Sequence, residues 1–389
     1  MKKRLTSLVM SVLLAASLAG CAGTEISSKP EDVTTAPRSE TVTETQTETT
    51  ADTLLPITLP PAESEESGTD SVPEEDTAPK EYTPLMWQLT TDDGVTLTML
   101  GSMHALTEDC YPLPTVITEA YEKADLFVNE CDAATATQNF ALQIEEIRNM
   151  YYDGGDTIDA HIGTELYEQL VEFGKEFGLD LTLYRSCKPW VWSAMIENMI
   201  VVESGMKGQY GVDIWLTNKA HEDGKEMFEL ESAEYQARLL MNLSDDKQIL
   251  QLKLFAAMTK ESAIETYLNS VEEWKKGDEY DAAKTVYTDL IIKEAEKQGR
   301  TVSEEEAAVW TEYNKEMVFD RNLGMRDKII ELLKSGKKNI FLTVGSAHFV
   351  GDQGIIALLE AEGYKITKIS PAPDEEQPAD ESSEEEKAA

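Results

Sequence analysis

The stretch "TLTMLGSMH" (residues 96–104) has a counterpart near the other end of the chain, "NIFLTVGSAH" (residues 339–348). Each is an apolar run of strand-forming residues that breaks at Gly-Ser-x-His. The chain has four histidines, and His104 and His348 share this context. Ligands in α/β sheets bind beyond the carboxyl ends of strands, where a glycine lets the backbone turn tightly. The repeat therefore indicates either two histidines that serve one site or two strands that end alike.

Carboxylates follow two further strand-like segments. Glu130 lies in "VNECD", and Glu229 and Glu231 lie in "FELES". Two imidazoles with one or two carboxylates suit zinc, manganese, cobalt or iron, and a spare carboxylate can accept a proton from water. The alternative is that both histidines are hydrogen-bonded structural residues, so the pattern alone predicts a metal site without deciding it. His161 and His221 stand in polar contexts, and we expect both at the surface.

The order of patterns along the chain predicts the fold. Strands alternate with helices at both ends, and a nearly continuous helical pattern fills the middle from about residue 245 to 334, with breaks near Gly277 and Gly299. An earlier helix is predicted to stop at Gly224, a typical C-terminal cap. These patterns predict an α/β fold, a three-layer domain in which helices flank a central sheet, carrying a long helical insertion.

The amino terminus is typical of an exported protein. A basic start at residues 2–4 precedes an apolar run over 8–19, which is too short to span a bilayer as a mature helix. The run closes in "LAGC" and is similar to the lipobox of bacterial lipoproteins. That similarity implies cleavage of residues 1–20 and attachment of a membrane lipid to Cys21. An ordinary secretory signal followed by a chance cysteine is the alternative.

Both flanks of the predicted domain are acidic and poor in large apolar residues. Residues 22–83 contain 15 acidic and 3 basic side chains, and residues 372–389 contain 8 acidic side chains and one lysine. Such segments repel themselves and cannot bury enough apolar surface to fold. We therefore predict a lipid-bearing tether over 21–83, a folded domain over 84–371 and a solvated tail.

The formal charge of −40 disfavours anionic lipid head groups as binding partners. A chain this acidic should avoid nucleic acid, and its field favours cationic substrates. After Cys21, the cysteines are Cys110, Cys131 and Cys187. Because their number is odd, at least one thiol of an exported protein stays free or pairs with another chain.

Several well-known catalytic motifs are missing from the sequence. It has no His-Glu-x-x-His, Gly-x-Ser-x-Gly or P-loop pattern, so zincin, α/β-hydrolase and nucleotide-binding functions lack their signatures. An ordered series of segments instead resembles the TraB/GumN family, which also includes the pheromone-shutdown proteins and the Tiki proteases. The segments are GSMH (101–104), Glu130 in "FVNECD", KPW (188–190), GVD (211–213), "ELESAEYQ" with Glu231 and Gln236, "DRNLGM" with Arg321, Asn322 and Met325, and "VGSAHFVGDQGIIALLEAEGY" (344–364).

The resemblance implies an α/β fold in which the two histidine motifs converge on a divalent metal such as manganese, cobalt or zinc. Carried over, His104 and His348 would bind the metal, and Glu130 and Glu231 would be further ligands or the general base. Arg321 would stabilise an oxyanion or bind a substrate carboxylate, with a structural salt bridge as the alternative.

In this interpretation, four further residues would hold the ligand side chains in position without binding the metal: Asp213, Asn322, Lys188 and Trp190.

The predicted function is a metal-dependent hydrolase, acting on peptide bonds and anchored at the outer face of a cell membrane. The main alternative is a lipoprotein that binds a peptide or small ligand without turnover. Haem or metal handling is a weaker alternative, since methionines spaced along helices usually belong to the core.

Overall fold

The structure is a computed structural model and describes residues 80–132, 138–297 and 299–370. The predicted signal peptide, Cys21, nearly all of the tether and the acidic tail lie outside the described residues. Expectations about lipid attachment and location therefore stay predictions.

The centre of the domain is a mixed six-stranded sheet with the order β4-β3-β5-β2-β1-β6. Strands β4, β3, β5 and β2 run parallel, whereas β1 is antiparallel to both β2 and β6. The strands are β1 (Met86–Thr90), β2 (Thr96–Ser102), β3 (Leu126–Asn129), β4 (Met227–Glu229), β5 (Asn339–Gly345) and β6 (Ile366–Lys368).

The two histidine motifs end neighbouring parallel strands. In the pairing of β2 with β5, Gly101 lies opposite Val344 and Ser102 lies opposite Gly345. The hydroxyl of Ser346 donates a hydrogen bond of 3.0 Å to the carbonyl oxygen of Ser102. The two Gly-Ser-x-His motifs therefore lie side by side at the same edge of one sheet.

Helices account for most of the remaining chain. In the described residues, none of them is long and apolar enough to cross a bilayer. They are α1 (Thr115–Lys123), α2 (Phe140–Asn149), α3 (Ile158–Ile162), α4 (Thr164–Glu176), α5 (Pro189–Glu203), α6 (Val212–Asp223), α7 (Ala233–Met241), α8 (Asp245–Ala256), α9 (Lys260–Lys276), α10 (Glu279–Ala283), α11 (Thr288–Lys297), α12 (Glu304–Asn314), α13 (Asp320–Leu332) and α14 (Ile355–Ala361).

Both faces of the sheet are buried, which confirms the predicted three-layer α/β domain. On one face, α13 and α14 cover strand residues such as Leu342 with the side chains of Ile329 and Leu359. On the other face, the rings of Tyr121, Phe127 and Phe341 pack together, with centroids 5.9 to 6.5 Å apart. Strands buried on both sides read as continuous apolar runs, which is why the sequence identified β2 and β5.

Helices α8 to α13 follow one another between β4 and β5, as the sequence predicted for about 245–334. Glycines end two of the predicted segments: Gly224 caps α6 and Gly277 caps α9, both with φ of 62°. The insertion also has an apolar cluster of its own, in which Trp310 and Ile291 are fully buried. It is therefore a packed helical layer rather than a set of loops.

All three cysteines of the described part are free thiols. Cys110 and Cys187 are buried, and Cys131 is half-buried. No disulfide joins these three cysteines within the chain, in line with the expectation that at least one thiol stays free or pairs with another chain.

A close backbone approach sets the position of His104. The amide of Val212 donates to the carbonyl of Met103 at 3.0 Å, so α6 begins directly on the first histidine motif. A Cβ atom on Gly211 would lie 2.2 Å from the carbonyl oxygen of His104. Only a glycine leaves room for this contact, since the clash would be with backbone and not with a flexible side chain.

We predict that Gly211→Ala lowers the free energy of unfolding by about 1–3 kcal/mol, because the added methyl group must push α6 away from the His104 turn. Urea denaturation followed by circular dichroism measures the change. Gly208→Ala is the matched control, because a Cβ atom there meets nothing within 4 Å. Equal stability of the two variants would contradict the close approach.

Candidate functional site

His104 stands at the end of β2 and is held by the first turn of α6. Its Nδ1 atom makes a short hydrogen bond to Oδ2 of Asp213. Burial lowers the pKa of His104, but the neighbouring Asp213 carboxylate outweighs it and raises the pKa to about 9. The imidazole therefore carries a proton at neutral pH, and its Nε2 atom has no hydrogen-bond partner among the described residues.

His348 has the same motif but a neutral partner. Its Nδ1 atom lies 2.6 Å from Oδ1 of Asn322, and the amide group of Asn322 donates to the carbonyl of Gln353 at 2.8 Å. That second bond orients the amide, so Oδ1 faces the imidazole and the proton is assigned to Nδ1. Burial, with Arg321 adding to it, lowers the pKa of His348 to about 3. Its Nε2 lone pair is thus available at neutral pH.

The two imidazoles and Glu130 surround Gly345. A Cβ atom placed on Gly345 would lie 3.5 Å from Cδ2 of His348, 3.6 Å from Oε2 of Glu130 and 3.9 Å from Nε2 of His104. The Nε2 atom of His348 lies 3.9 Å from Oε1 of Glu130. Three of the predicted site residues, from three different strand ends, therefore meet at one point.

Glu130 and Glu231 share one buried cation, Arg321. The Nη2 atom of Arg321 lies 2.5 Å from Oε1 of Glu130 and 2.6 Å from Oε2 of Glu231, and its side chain is 1% exposed. Although burial raises the pKa of Glu130, Arg321 and the two histidines lower it to about 2. Arg321 therefore forms a buried salt bridge with both carboxylates. A structural salt bridge was the alternative role that the sequence analysis gave for this residue.

Gln236 joins the same two carboxylates. Its Nε2 atom donates to Oε1 of Glu130 at 2.8 Å and to Oε2 of Glu231 at 3.0 Å, while its oxygen accepts from the thiol of Cys131 at 3.1 Å. The backbone amide of Gly345 donates to Oε2 of Glu130 at 3.1 Å. Every oxygen of Glu130 is therefore already hydrogen-bonded.

The donor chemistry fits a divalent metal at the two imidazoles. In metal sites the second ring nitrogen of each histidine is usually held by a carboxylate or carbonyl group, as Asp213 and Asn322 hold these two. Among the described residues, however, no three His, Cys, Asp or Glu side chains are grouped closely enough to hold an ion as they stand. The reason lies at Glu130, whose oxygens face Arg321, Gln236 and Gly345. His104 and His348 would hold the metal, and Glu130 would have to exchange partners to join them.

The structure places several other predicted residues away from this point. Lys188 precedes the first residue of α5 and contacts Asn149 at 3.0 Å instead of a site residue. The backbone of Trp190 contacts Gln248. Glu229 accepts from the amide of Asp132 at 2.9 Å.

The two remaining histidines contact carboxylates outside the site. His221 is exposed and contacts Asp132 at 2.6 Å, as expected for a surface residue. His161 is only half-buried: it stacks on Tyr152 with 4.0 Å between ring centroids and lies between Asp156 and Asp245.

A cavity of about 190 Å³ opens onto the imidazoles. One part of its lining is the sheet edge, with His104, Glu130 and His348, and Arg321 of α13 lies beside them. The other wall comes from the helical insertion, with Trp274 and three carboxylates that the sequence did not single out: Glu273, Asp278 and Asp281. In the sequence these acids resemble an ordinary solvated helix face, and only the packing of the insertion brings them to the site.

We predict that Arg321→Met lowers the free energy of unfolding by about 3–5 kcal/mol, because Glu130 and Glu231 would be left buried without a cation. Thermal and urea denaturation measure the loss.

Arg326→Met, on the same helix, is the control. Arg326 is 21% exposed in a surface ion pair with Asp327, so about 1 kcal/mol or less is expected. Similar losses for the two variants would show that the buried cluster has no special role.

Comparison with known proteins finds a few distant relatives. The chain is 26% identical over 147 residues to uncharacterized protein YbaP of Escherichia coli (strain K12) and, equally, to YbaP of Shigella flexneri, covering 38% of this chain and 52% of each relative. It is 32% identical over 60 residues to a metalloprotease TIKI homolog of Nematostella vectensis, covering 15% of this chain and 13% of that protein. The chain thus spans about half the length of the first curated relatives it matches.

No solved structure matches the chain significantly. The sequence model of the TraB/PrgY/gumN family, in contrast, matches residues 85–368, which is the whole sheet and its insertion. That range contains both histidine motifs, the paired carboxylates and Arg321. The chain therefore belongs to the TraB/PrgY/gumN family.

Proposed function

We propose that this protein is a metal-dependent hydrolase that cleaves peptide bonds in the cavity between the sheet edge and the helical insertion. The observation that carries the proposal is the pair of cavity-lining histidines, His104 and His348, each with its Nδ1 atom held by a neighbouring side chain. The short match to a metalloprotease TIKI homolog supports the same reaction class.

A divalent metal bound by the two Nε2 atoms would supply Lewis acidity toward a substrate carbonyl oxygen. The residues around it have separate tasks. Asp213 and Asn322 fix the direction of the two rings. Glu130 would accept a proton from an attacking water at Oε2, an oxygen whose protein donor is the backbone amide of Gly345. Arg321 and Gln236 hold the Glu130 carboxylate in position.

We also propose that the protein works at the outer face of a membrane, held by lipid on Cys21. The lipobox-like "LAGC" supports this location, and the acidic stretch that follows would space the domain from the lipid surface. Peptides outside the membrane would then be the substrates.

We predict that the full chain, purified without chelator, binds one divalent metal per molecule, and that a His104→Ala/His348→Ala double variant binds none. Elemental mass spectrometry after incubation with manganese, cobalt or zinc gives the stoichiometry. His221→Ala is the control, because His221 is an exposed histidine in an ion pair outside the cavity. Equal metal content in all three proteins would sink the assignment of the metal to the two motifs.

We predict that Glu130→Gln reduces peptide cleavage by about 100-fold or more, in line with loss of a general base. The measurement is a peptide-library digest read by mass spectrometry, with metal content checked in parallel. Glu229→Gln is the matched control, since Glu229 follows the neighbouring strand but does not line the cavity. A metal-loaded chain that leaves every library peptide intact would instead favour a binding protein.

A further inference from the structure

The turn that follows His348 is anchored to the helical insertion by a tyrosine. Tyr287 lies between α10 and α11, and its hydroxyl donates to the carbonyl of Val350 at 3.2 Å. The same hydroxyl accepts from the backbone amide of Gln353 at 3.1 Å. Residues 351–353 are exposed, so the position of this turn depends on its inner contacts. Tyr287 supplies two of those contacts.

The fit of Tyr287 against the turn leaves no spare room. Gly351 has φ of 76°, and a Cβ atom there would lie 2.2 Å from the hydroxyl oxygen of Tyr287 and 2.3 Å from Cζ. Glycine is the residue that tolerates both this backbone conformation and this close approach. The ring of Tyr287 also packs on Phe319, with 5.2 Å between ring centroids. Because Phe319 directly precedes α13, Tyr287 contacts both the turn and the start of that helix.

Two hydrogen bonds connect this turn to the imidazole of His348. The backbone carbonyl of Gln353 accepts from Nδ2 of Asn322 at 2.8 Å. The other end of the same amide, Oδ1 of Asn322, lies 2.6 Å from Nδ1 of His348. Asn322 is 0% exposed, so bulk water does not reach its amide. Tyr287 therefore holds the residue whose carbonyl orients Asn322.

The tautomer of His348 decides whether this histidine can bind a metal. An imidazole with its proton on Nδ1 presents a lone pair at Nε2, whereas the other tautomer presents an N–H group there. Two neighbours favour different tautomers. Oδ1 of Asn322 favours the proton on Nδ1, but the carboxylate of Glu130, whose Oε1 lies 3.9 Å from Nε2, favours the proton on Nε2. The tautomer thus depends on how firmly the Asn322 amide is held.

We propose that Tyr287 is a positioning residue that keeps the proton of His348 on Nδ1, by fixing the turn at Gln353 and through it the amide of Asn322. Tyr287 does not line the cavity, so it acts only through these neighbours. Use of the Nε2 lone pair to bind a metal rests on the proposed hydrolase function. The effect on the tautomer is independent of that function.

Loss of the Tyr287 hydroxyl has a defined consequence. The turn loses two hydrogen bonds, and the carbonyl of Gln353 is then held less firmly. The amide of Asn322 can turn its NH₂ group towards Nδ1 of His348, which then becomes a hydrogen-bond acceptor. In that arrangement the ring carries its proton on Nε2, facing Glu130, and offers no lone pair to a metal.

The first experiment determines the tautomer of His348 in the full chain at neutral pH, by NMR of the ring nitrogens after isotopic labelling of histidine. A His348→Gln variant assigns the signals. We expect the proton on Nδ1 in the native chain. In Tyr287→Phe we expect the ratio of the Nε2–H to the Nδ1–H tautomer to rise about fivefold, as for the loss of about one neutral hydrogen bond.

The matched control is Tyr121→Phe. Tyr121 also donates a hydroxyl hydrogen bond, to Asp223 at 2.8 Å, but it packs on the face of the sheet opposite α13. A native chain with the proton of His348 on Nε2 would overturn the proposal. The same holds for a Tyr287→Phe variant whose tautomer ratio equals that of the control.

A second variant disturbs the same contact from the other side. In Gly351→Ala the added methyl group would collide with the ring of Tyr287, so we expect the same change in the tautomer ratio. Combining it with Tyr287→Phe should add little, since both changes act on one contact. Gly363→Ala controls for backbone strain, because Gly363 has φ of 94° and a Cβ atom there meets nothing within 4 Å. An equal change in that control would contradict the proposal.

A metal-binding measurement separates this role from the proposed function. Isothermal titration calorimetry compares the affinity of zinc or manganese for the native chain and for Tyr287→Phe. We expect the affinity to fall by the factor by which the Nδ1–H fraction falls. A tautomer change in proteins that bind no metal would support the role of Tyr287 and exclude the metal site alone. Lower thermal stability without a tautomer change would make Tyr287 merely structural and overturn the proposal.

Discussion

The guanidinium group of Arg321 binds two carboxylates and thereby connects two strand ends to the helical insertion. Glu130 comes from the end of β3, Glu231 from beyond β4 and Arg321 from the helical insertion. Removing the cation would leave two carboxylates in the interior without their partner, and an uncompensated buried charge costs several kcal/mol. The next residue along α13, Asn322, holds the ring of His348. The same helical turn therefore places both the charge and the second imidazole.

The two Gly-Ser-x-His motifs have imidazoles whose pKa values are shifted in opposite directions because their surroundings differ. The neighbouring Asp213 raises the pKa of His104, whereas burial and the nearby Arg321 lower the pKa of His348. Binding of a cation at both Nε2 atoms would require His104 to release its proton, so metal affinity is coupled to pH. A buried ion cluster adds little stability compared with apolar residues of equal volume. The ion cluster instead affects the neighbouring imidazoles, because Glu130 and Arg321 shift the pKa values of His104 and His348.

The sequence predicted the features that depend on local chemistry. The apolar runs, the Gly-Ser-x-His turns and the capping glycines Gly224 and Gly277 each follow from a few adjacent residues. It missed β1, a five-residue strand whose place depends on pairing with β2 and β6. It did not predict the π-helical segment Lys315–Phe319, which directly precedes α13 and offers the carbonyl of Met317 to Arg321. Such an extra residue per turn is set by tertiary packing and leaves no periodic signal.

The cavity is lined both by residues that follow the strands and by residues of the helical insertion. The imidazoles and Glu130 follow parallel strands, whose register leaves little freedom, since a slip of one residue would reverse every side chain. The facing wall belongs to α9 and α10, where Glu273 and Asp281 share the cation Lys284 and are not tied to the sheet. Helix α9 is nevertheless joined to a strand end, because the indole of Trp274 donates to the carbonyl of Gly101 at 2.8 Å. The cavity therefore depends on both layers: the strands position the imidazoles and Glu130, and the insertion supplies Arg321 and Asn322, which hold them.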